Sequence, residues 1–165
     1  MTTVDTTPRV FQHTVARHQD RVAIRQKTLG LWHDISWQSY FQRVQHIGTA
    51  LIAMGLQPGE CVGIIGDNCP EWVLADMAVQ CAGGVSVGIY ATNAWPQVEF
   101  VTNHAEAAYL FVENEEQLDK WLMFRDRAPS LKKIIVWDLE GLQQFEDPMV
   151  MTFEDLREEG RRAVQ

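Results

Sequence analysis

Between Pro58 and Glu113 the chain alternates short, β-rich apolar runs with helical patterns, and that alternation restricts it to a sheet whose strands run parallel. Cys61 to Ile65 follows a Gln57-Pro58-Gly59 turn and is apolar on both faces, as expected of a strand buried inside such a sheet. Asp67-Asn68-Cys69-Pro70-Glu71 then opens a helix: Asn68 is placed to cap it, Pro70 costs nothing in the first turn, and Glu71 can complete a capping box. This helix runs to about Cys81. Its small residues Ala75, Ala78 and Ala82 allow close approach to the sheet, and Gly83-Gly84 ends it before a strand from Val85 to Tyr90. Asn93 to about Asn103 reads as a helix with Pro96 in its first turn, Ala108 to Val112 as a strand, Glu115 to Arg125 as a helix and Ile134 to Trp137 as a strand. Right-handed crossovers between parallel strands put helices on both faces, so the fold class is α/β, built of βαβ layers.

The flanks obey different periods. Pro8 starts a helix whose Val10, Phe11, Thr14, Val15 and His18 share one face, ending near Asp20. Val22 to Gln26 and Leu31 to Ile35, joined through Lys27-Thr28-Leu29-Gly30, predict an antiparallel hairpin. Ser36 can cap a long helix with the stripe Trp37, Tyr40, Phe41, Val44, Ile47, Leu51 and Met54, and Gly55 supplies its left-handed stop. Leu139 to Met151 reads as an irregular polar connection broken by Pro148, and Phe153 to Arg162 as a last helix. The expected organisation is one lobe over residues 1–165: helix, hairpin and long helix over 7–56, parallel core over 57–138, connection and terminal helix over 139–165.

An apolar fraction of 46% is ample for a core, while a formal charge of −8 without clustered Lys or Arg argues against a nucleic-acid partner. The acidic runs Glu113 to Glu116 and Glu154 to Glu159 read as solvated helix faces. Cys61, Cys69 and Cys81 sit in or beside apolar segments without Cys-x-x-Cys spacing, which predicts buried, reduced thiols and a cytoplasmic setting. Met1 to Arg9 lacks the apolar core of a signal peptide, and no window approaches a membrane span; contact with a membrane surface stays open.

Candidate chemistry is sparse. Gly59, Gly63 and Gly66 surround a strand that leads into a helix, but they do not form Gly-x-Gly-x-x-Gly, and Asp67 at the turn would repel a pyrophosphate, so the turn reads as an ordinary capped connection. Neither a Walker motif nor Gly-x-Ser-x-Gly occurs. His13, His18, His33, His46 and His104 are scattered, without zinc-ligand or Cys/His spacing. Asp67, Glu71 and Asp76 could pair as acid and base, yet the helix start already explains the first two. Trp32, Trp37, Trp72, Trp121 and Trp137 read as packing residues. Trp95, in the polar turn Ala91-Thr92-Asn93-Ala94-Trp95-Pro96 beyond the carboxyl end of a strand, is the candidate for a binding or interface role.

Several phrases, in order and spacing, resemble the N-terminal region of the AMP-forming acyl-CoA synthetases, the adenylate-forming superfamily. They are Leu31-Trp32-His33-Asp34-Ile35-Ser36-Trp37, Gly55-Leu56-Gln57-Pro58-Gly59-Glu60-Cys61-Val62-Gly63-Ile64, Asp67-Asn68-Cys69-Pro70-Glu71-Trp72, the run Ala82-Gly83-Gly84-Val85-Ser86-Val87-Gly88-Ile89-Tyr90-Ala91-Thr92, and Gln97-Val98-Glu99-Phe100. The resemblance covers residues 7 to 160, and Ile89-Tyr90-Ala91-Thr92 with the tryptophan-rich opening points to the long-chain fatty acid:CoA ligase branch. Cys61 departs from the family, which commonly has a charged residue there.

The resemblance implies an N-terminal part of the large domain of a ligase that uses ATP, magnesium and CoA. A fatty carboxylate attacks the α-phosphate of ATP to give an acyl-adenylate and pyrophosphate, and the CoA thiol displaces AMP. The family's phosphate loop ending in Pro-Lys-Gly, its adenine and ribose contacts and its catalytic lysine have no counterpart before Gln165, so no catalytic, cofactor-binding or metal residue is assigned. The expectation is a structural stretch that works with the remainder of a synthetase chain, binds no cofactor tightly alone and is inactive alone. The alternatives are a stand-alone nucleotide-binding domain and a non-catalytic interaction module; a homodimer and peripheral membrane contact are further expectations.

Overall fold

A computed structural model of the chain describes residues 6–164; the reading of Met1 to Arg9 falls outside them over residues 1–5. Thr7–His18 forms α1, Val22–Thr28 and Leu31–Ser36 form the hairpin β1 and β2, and Trp37–Ala53 forms α2. Cys61–Ile65 is β3, Pro70–Cys81 α3, Val85–Ile89 β4, Trp95–His104 α4, Tyr109–Val112 β5 and Glu115–Leu122 α5. A 3-10 turn at Arg125–Arg127 precedes β6 (Lys133–Val136), β7 (Val150–Thr152) and α6 (Phe153–Val164).

Five strands make the main sheet in the order β4-β3-β5-β6-β7, and all four pairings are parallel. Successive side chains point to opposite faces, so β3 sends Val62 and Ile64 into one core and Ile65 into the other; β5 does the same with Tyr109 and Phe111 against Leu110 and Val112. The first core lies under α1, α2, α3 and α6, the second under α4, α5 and the 3-10 turn. Because β4 and β5 flank β3 on opposite sides, α3 and α4 return over opposite faces, and the loops diverge at the carboxyl ends of β3 and β5.

Local signals account for the elements they marked. The Ser39 N–H donates to Ser36 Oγ at 3.2 Å, Tyr40, Val44, Ile47 and Leu51 of the stripe are buried, and Gly55 stops α2 with φ +92°. Four expectations are corrected. Asn68 does not cap α3: Pro70 forces the residue before it out of the helical region, so Cys69, at φ −141° and ψ 170°, takes the cap position without a side-chain capping bond. The helix expected from Glu115 to Arg125 stops at Leu122, because Phe124 turns into the second core and the chain tightens into the 3-10 turn. Within Leu139 to Met151, read as irregular, Val150 starts β7. Its pairing with Ile134 comes from the edge of β6, and the Met149 N–H donates to Asp147 Oδ1 at 2.8 Å to turn the chain into it. The thiols are not sequestered: Cys61 and Cys69 are half-buried and Cys81 is exposed, all three unbridged.

Candidate functional site

Parallel α/β sheets bind ligands at the carboxyl ends of their strands, where the connections diverge. Here that rim is formed by the segments after β3 (66–69), β4 (90–94), β5 (113–114) and β6 (137–141).

Glu113 ties three of these ends together. Its backbone N–H donates to Ile65 O at 2.9 Å, its carbonyl accepts from the Asp138 N–H at 2.7 Å, and its carboxylate accepts from the Asp67 N–H at 2.8 Å. Gly66 lies under the Trp137 indole: a Cβ there would meet Trp137 Cη2 at 2.7 Å and Glu113 Cβ at 2.9 Å. The space left by the missing side chain is therefore filled by tryptophan. Replacing Glu113 by Ala removes the acceptor for the Asp67 N–H and is expected to cost about 1 to 2 kcal/mol, read as a lower urea midpoint at unchanged m-value.

The fourth segment is held by Lys120. Its ammonium donates to Ala91 O at 2.6 Å and to Gln117 Oε1 at 2.9 Å, and pairs with Glu116 at 3.1 Å, fastening the loop after β4 to α5. Sequence reasoning missed this residue; the Glu116–Lys120 spacing marks an intrahelical pair, but nothing local points to Ala91. Asn114 caps α5 by accepting from the Gln117 N–H at 3.3 Å. At the start of α4, Gln97 Oε1 accepts from the Ala94 N–H at 2.9 Å; alanine has no side-chain acceptor, so only this half of a capping box forms.

Trp95 is half-buried, and the Arg127 guanidinium covers its ring at 5.6 Å from the centroid. Arg127 is itself held by Glu99 at 2.6 and 3.1 Å, a bidentate pair that keeps the Glu99 carboxyl below its ordinary pKa. The ring is thus engaged within the protein. The other singled-out groups do not converge. Asp76 accepts from Gln80 within α3 and from Ser86 on β4, away from Asp67. His104 stacks on Phe100 at 5.5 Å and His18 lies 6.3 Å from Trp37, ring to ring. Burial pushes the Cys69 thiol up to about 11, so it is a neutral thiol at pH 7. Of the six tryptophans, Trp121 is fully buried, whereas Trp32 is 64% exposed on the hairpin.

Asp67, Glu113, Glu115, Glu116, Asp138 and Glu140 line this rim, and the ammonium of Lys120 is already committed to three oxygens. Among the described residues no three His, Cys, Asp or Glu side chains are grouped as a metal ion requires. With the cradle at Gly66 filled by Trp137 and carboxylates around it, the rim does not fit a nucleotide triphosphate or its magnesium. What it does is lock four strand ends into one rigid edge.

Three comparisons bear on this chain. The family model for AMP-binding enzymes matches residues 11–158. A long-chain-fatty-acid–CoA ligase of Xenopus laevis, ACSBG2, is 39% identical over 126 residues, which cover 76% of this chain and 17% of the ligase. The Homo sapiens ACSBG2 ligase is 31% identical over 161 residues, covering 94% of this chain and 23% of that protein. The chain thus spans about a fifth of the length of these curated relatives. An anthranilate CoA ligase solved with anthranoyl-AMP, AuaEII, superposes with a TM-score of 0.82 at 20% identity over 96% of this chain and 29% of that structure, a likeness of fold.

Proposed function

Since this chain belongs to the family of AMP-binding enzymes, we propose that it is the scaffold of a long-chain fatty acid:CoA ligase, bearing the front of the sheet on which an AMP-forming acyl activation is carried out. The observation that carries the reading is the match to relatives named as long-chain-fatty-acid–CoA ligases, at 39% identity over three-quarters of the chain. The family uses ATP, magnesium and CoA with a fatty carboxylate. The reading assigns none of these to the rim, which lacks an open phosphate cradle, and gives residues 11–158 the task of holding strand ends rigid. It includes dependence on the remaining portion of a synthetase, a cytoplasmic setting, peripheral contact with membranes and pairing with a second copy through exposed aromatics such as Tyr90 and Phe100.

Two assays test it together. The polypeptide alone, given ATP, magnesium, oleate and CoA, is expected to release no AMP; release of AMP would overturn the assignment of a purely structural role. Residues 11–158 grafted in place of the matching segment of the Xenopus ligase are expected to support oleoyl-CoA formation. A folded but inactive chimera would count against the ligase reading, and tight adenine-nucleotide binding by the short chain would favour a nucleotide-binding module.

A further inference from the structure

The β1–β2 hairpin ends in a feature its own stability does not explain. Leu29 and Gly30 form its two-residue turn, with φ of +49° and +84°. Turns of this left-handed kind favour Asn, Asp or Gly at the first position, and a leucine there carries a local conformational cost. Among the described residues nothing offsets that cost, because Leu29 is 99% exposed. Leu31 and Trp32, the next two residues beyond the turn, are 67% and 64% exposed. Alternation along β2 sends Leu31 and Trp32 to opposite faces, so the three side chains form an apolar wedge with Leu29 at its apex.

Behind the wedge the charge changes sign. Lys27 pairs across the ladder with Trp32, its ammonium 5.7 Å from the ring centroid, and makes no ion pair among the described residues. Two rungs further back, on the same face, Arg25 is neutralised by Asp34 through bonds of 2.6 and 2.9 Å. Between Arg21 and Ser36 there are three cationic side chains, Arg21, Arg25 and Lys27, against the single carboxylate of Asp34, while the whole chain carries a formal −8.

The geometry points to an anionic lipid surface as the occupant: the hairpin is a membrane-seating wedge, with Leu29, Leu31 and Trp32 entering the acyl boundary and Lys27 at the headgroup level. Tryptophan and lysine suit that depth, since an indole prefers the interface and a lysine stem can lie along apolar surface while its ammonium stays among phosphates. A protein partner fits less well. A stable protein interface buries about 800 Å² on each side, and four residues splayed over both faces of a ribbon tip present no such continuous area. This inference gives a seat to the membrane contact included in the proposed function; it stands on the hairpin alone, so its test uses lipid without ATP, fatty acid or CoA, and a failed ligase assay leaves it intact.

The test is co-flotation of the purified chain with vesicles of phosphatidylcholine alone and vesicles containing about one-third phosphatidylserine, at low and high salt. The chain is expected to float with the anionic vesicles and to be released by salt. The triple variant Leu29→Ser, Leu31→Ser, Trp32→Ser should lose about tenfold or more of that binding while keeping its circular dichroism, and Lys27→Glu should lose several-fold on anionic vesicles only. Wild-type chain that stays soluble with both vesicles, or a triple variant that floats as well as wild type, would overturn the proposal. So would a wild-type dimer seen by light scattering that the triple variant abolishes without any vesicle binding, since the tip would then serve a second copy. If the triple variant fails to fold, Lys27→Glu, which changes one exposed side chain outside the core, decides.

Discussion

Substituting Ala for Gly160 is expected to destabilise the chain by about 3 kcal/mol, lowering its thermal midpoint by about 10 °C. Taken alone, a helix-interior Gly-to-Ala change should stabilise by about 1 kcal/mol, because alanine loses less backbone freedom on folding. Gly160 is the exception because α6 crosses α2 at backbone contact there: an added Cβ would fall on the His46 carbonyl oxygen, with His46 C at 2.5 Å and Cα at 3.0 Å. Those atoms are main chain within α2 and cannot rotate away. The whole of α6 would have to lift, uncovering Phe153 and Leu156 in the first core. Glu159→Ala, one residue away and exposed, is the matched control and should leave the midpoint nearly unchanged. A Gly160→Ala protein that melted higher than wild type would mean that the two helices do not meet this closely.

The second large effect belongs to the other face. Trp121 is fully buried between α5 and the sheet, and its removal in Trp121→Ala is expected to cost about 3 to 5 kcal/mol through lost apolar burial and the cavity left behind. Trp121→Phe discriminates packing from hydrogen bonding. The Trp121 Nε1 donor is buried with no protein partner, so deleting it removes a desolvation penalty of about 1 to 3 kcal/mol, comparable with the cost of the smaller ring. Urea midpoints for the two variants should therefore be well separated, with Phe close to wild type and Ala far below. Equal losses would mean that the indole N–H is satisfied, for instance by water, and stabilises the fold.

How much of this was legible depends on whether the cause was local. The stripe of α2 and the doubly apolar runs of β3 and β5 follow from periodicity, and the opposite-face crossovers follow from alternating elements. The phrases around Gly55-Leu56-Gln57-Pro58-Gly59 and Ile89-Tyr90-Ala91-Thr92 led to the family that the comparisons also find. What escaped was set by distant partners. Cys69 displaced Asn68 because a proline one residue on constrains it, a rule that was available and outweighed by capping preference. Val150 becomes strand only because β6 offers an open edge. Lys120 and Glu113 gain their positions from Ala91 and Asp67, which lie 29 and 46 residues away in sequence. Gly160 sits in a helical pattern and gives no local sign that another helix's backbone occupies its side-chain space.

The hairpin has one more property, which concerns time. Its strands form a two-stranded sheet of their own, joined to the rest through Ile35 in the core and through the Trp37 and Gln38 N–H groups, which donate to Arg21 O and Gln19 O at 3.0 and 2.9 Å. None of its ladder is shared with the five-stranded sheet, so the ribbon can fray from its tip while the parallel core stays closed. Amide protons near Leu29 then exchange through local opening and those of β3 and β5 through global unfolding, giving one small chain two separate clocks.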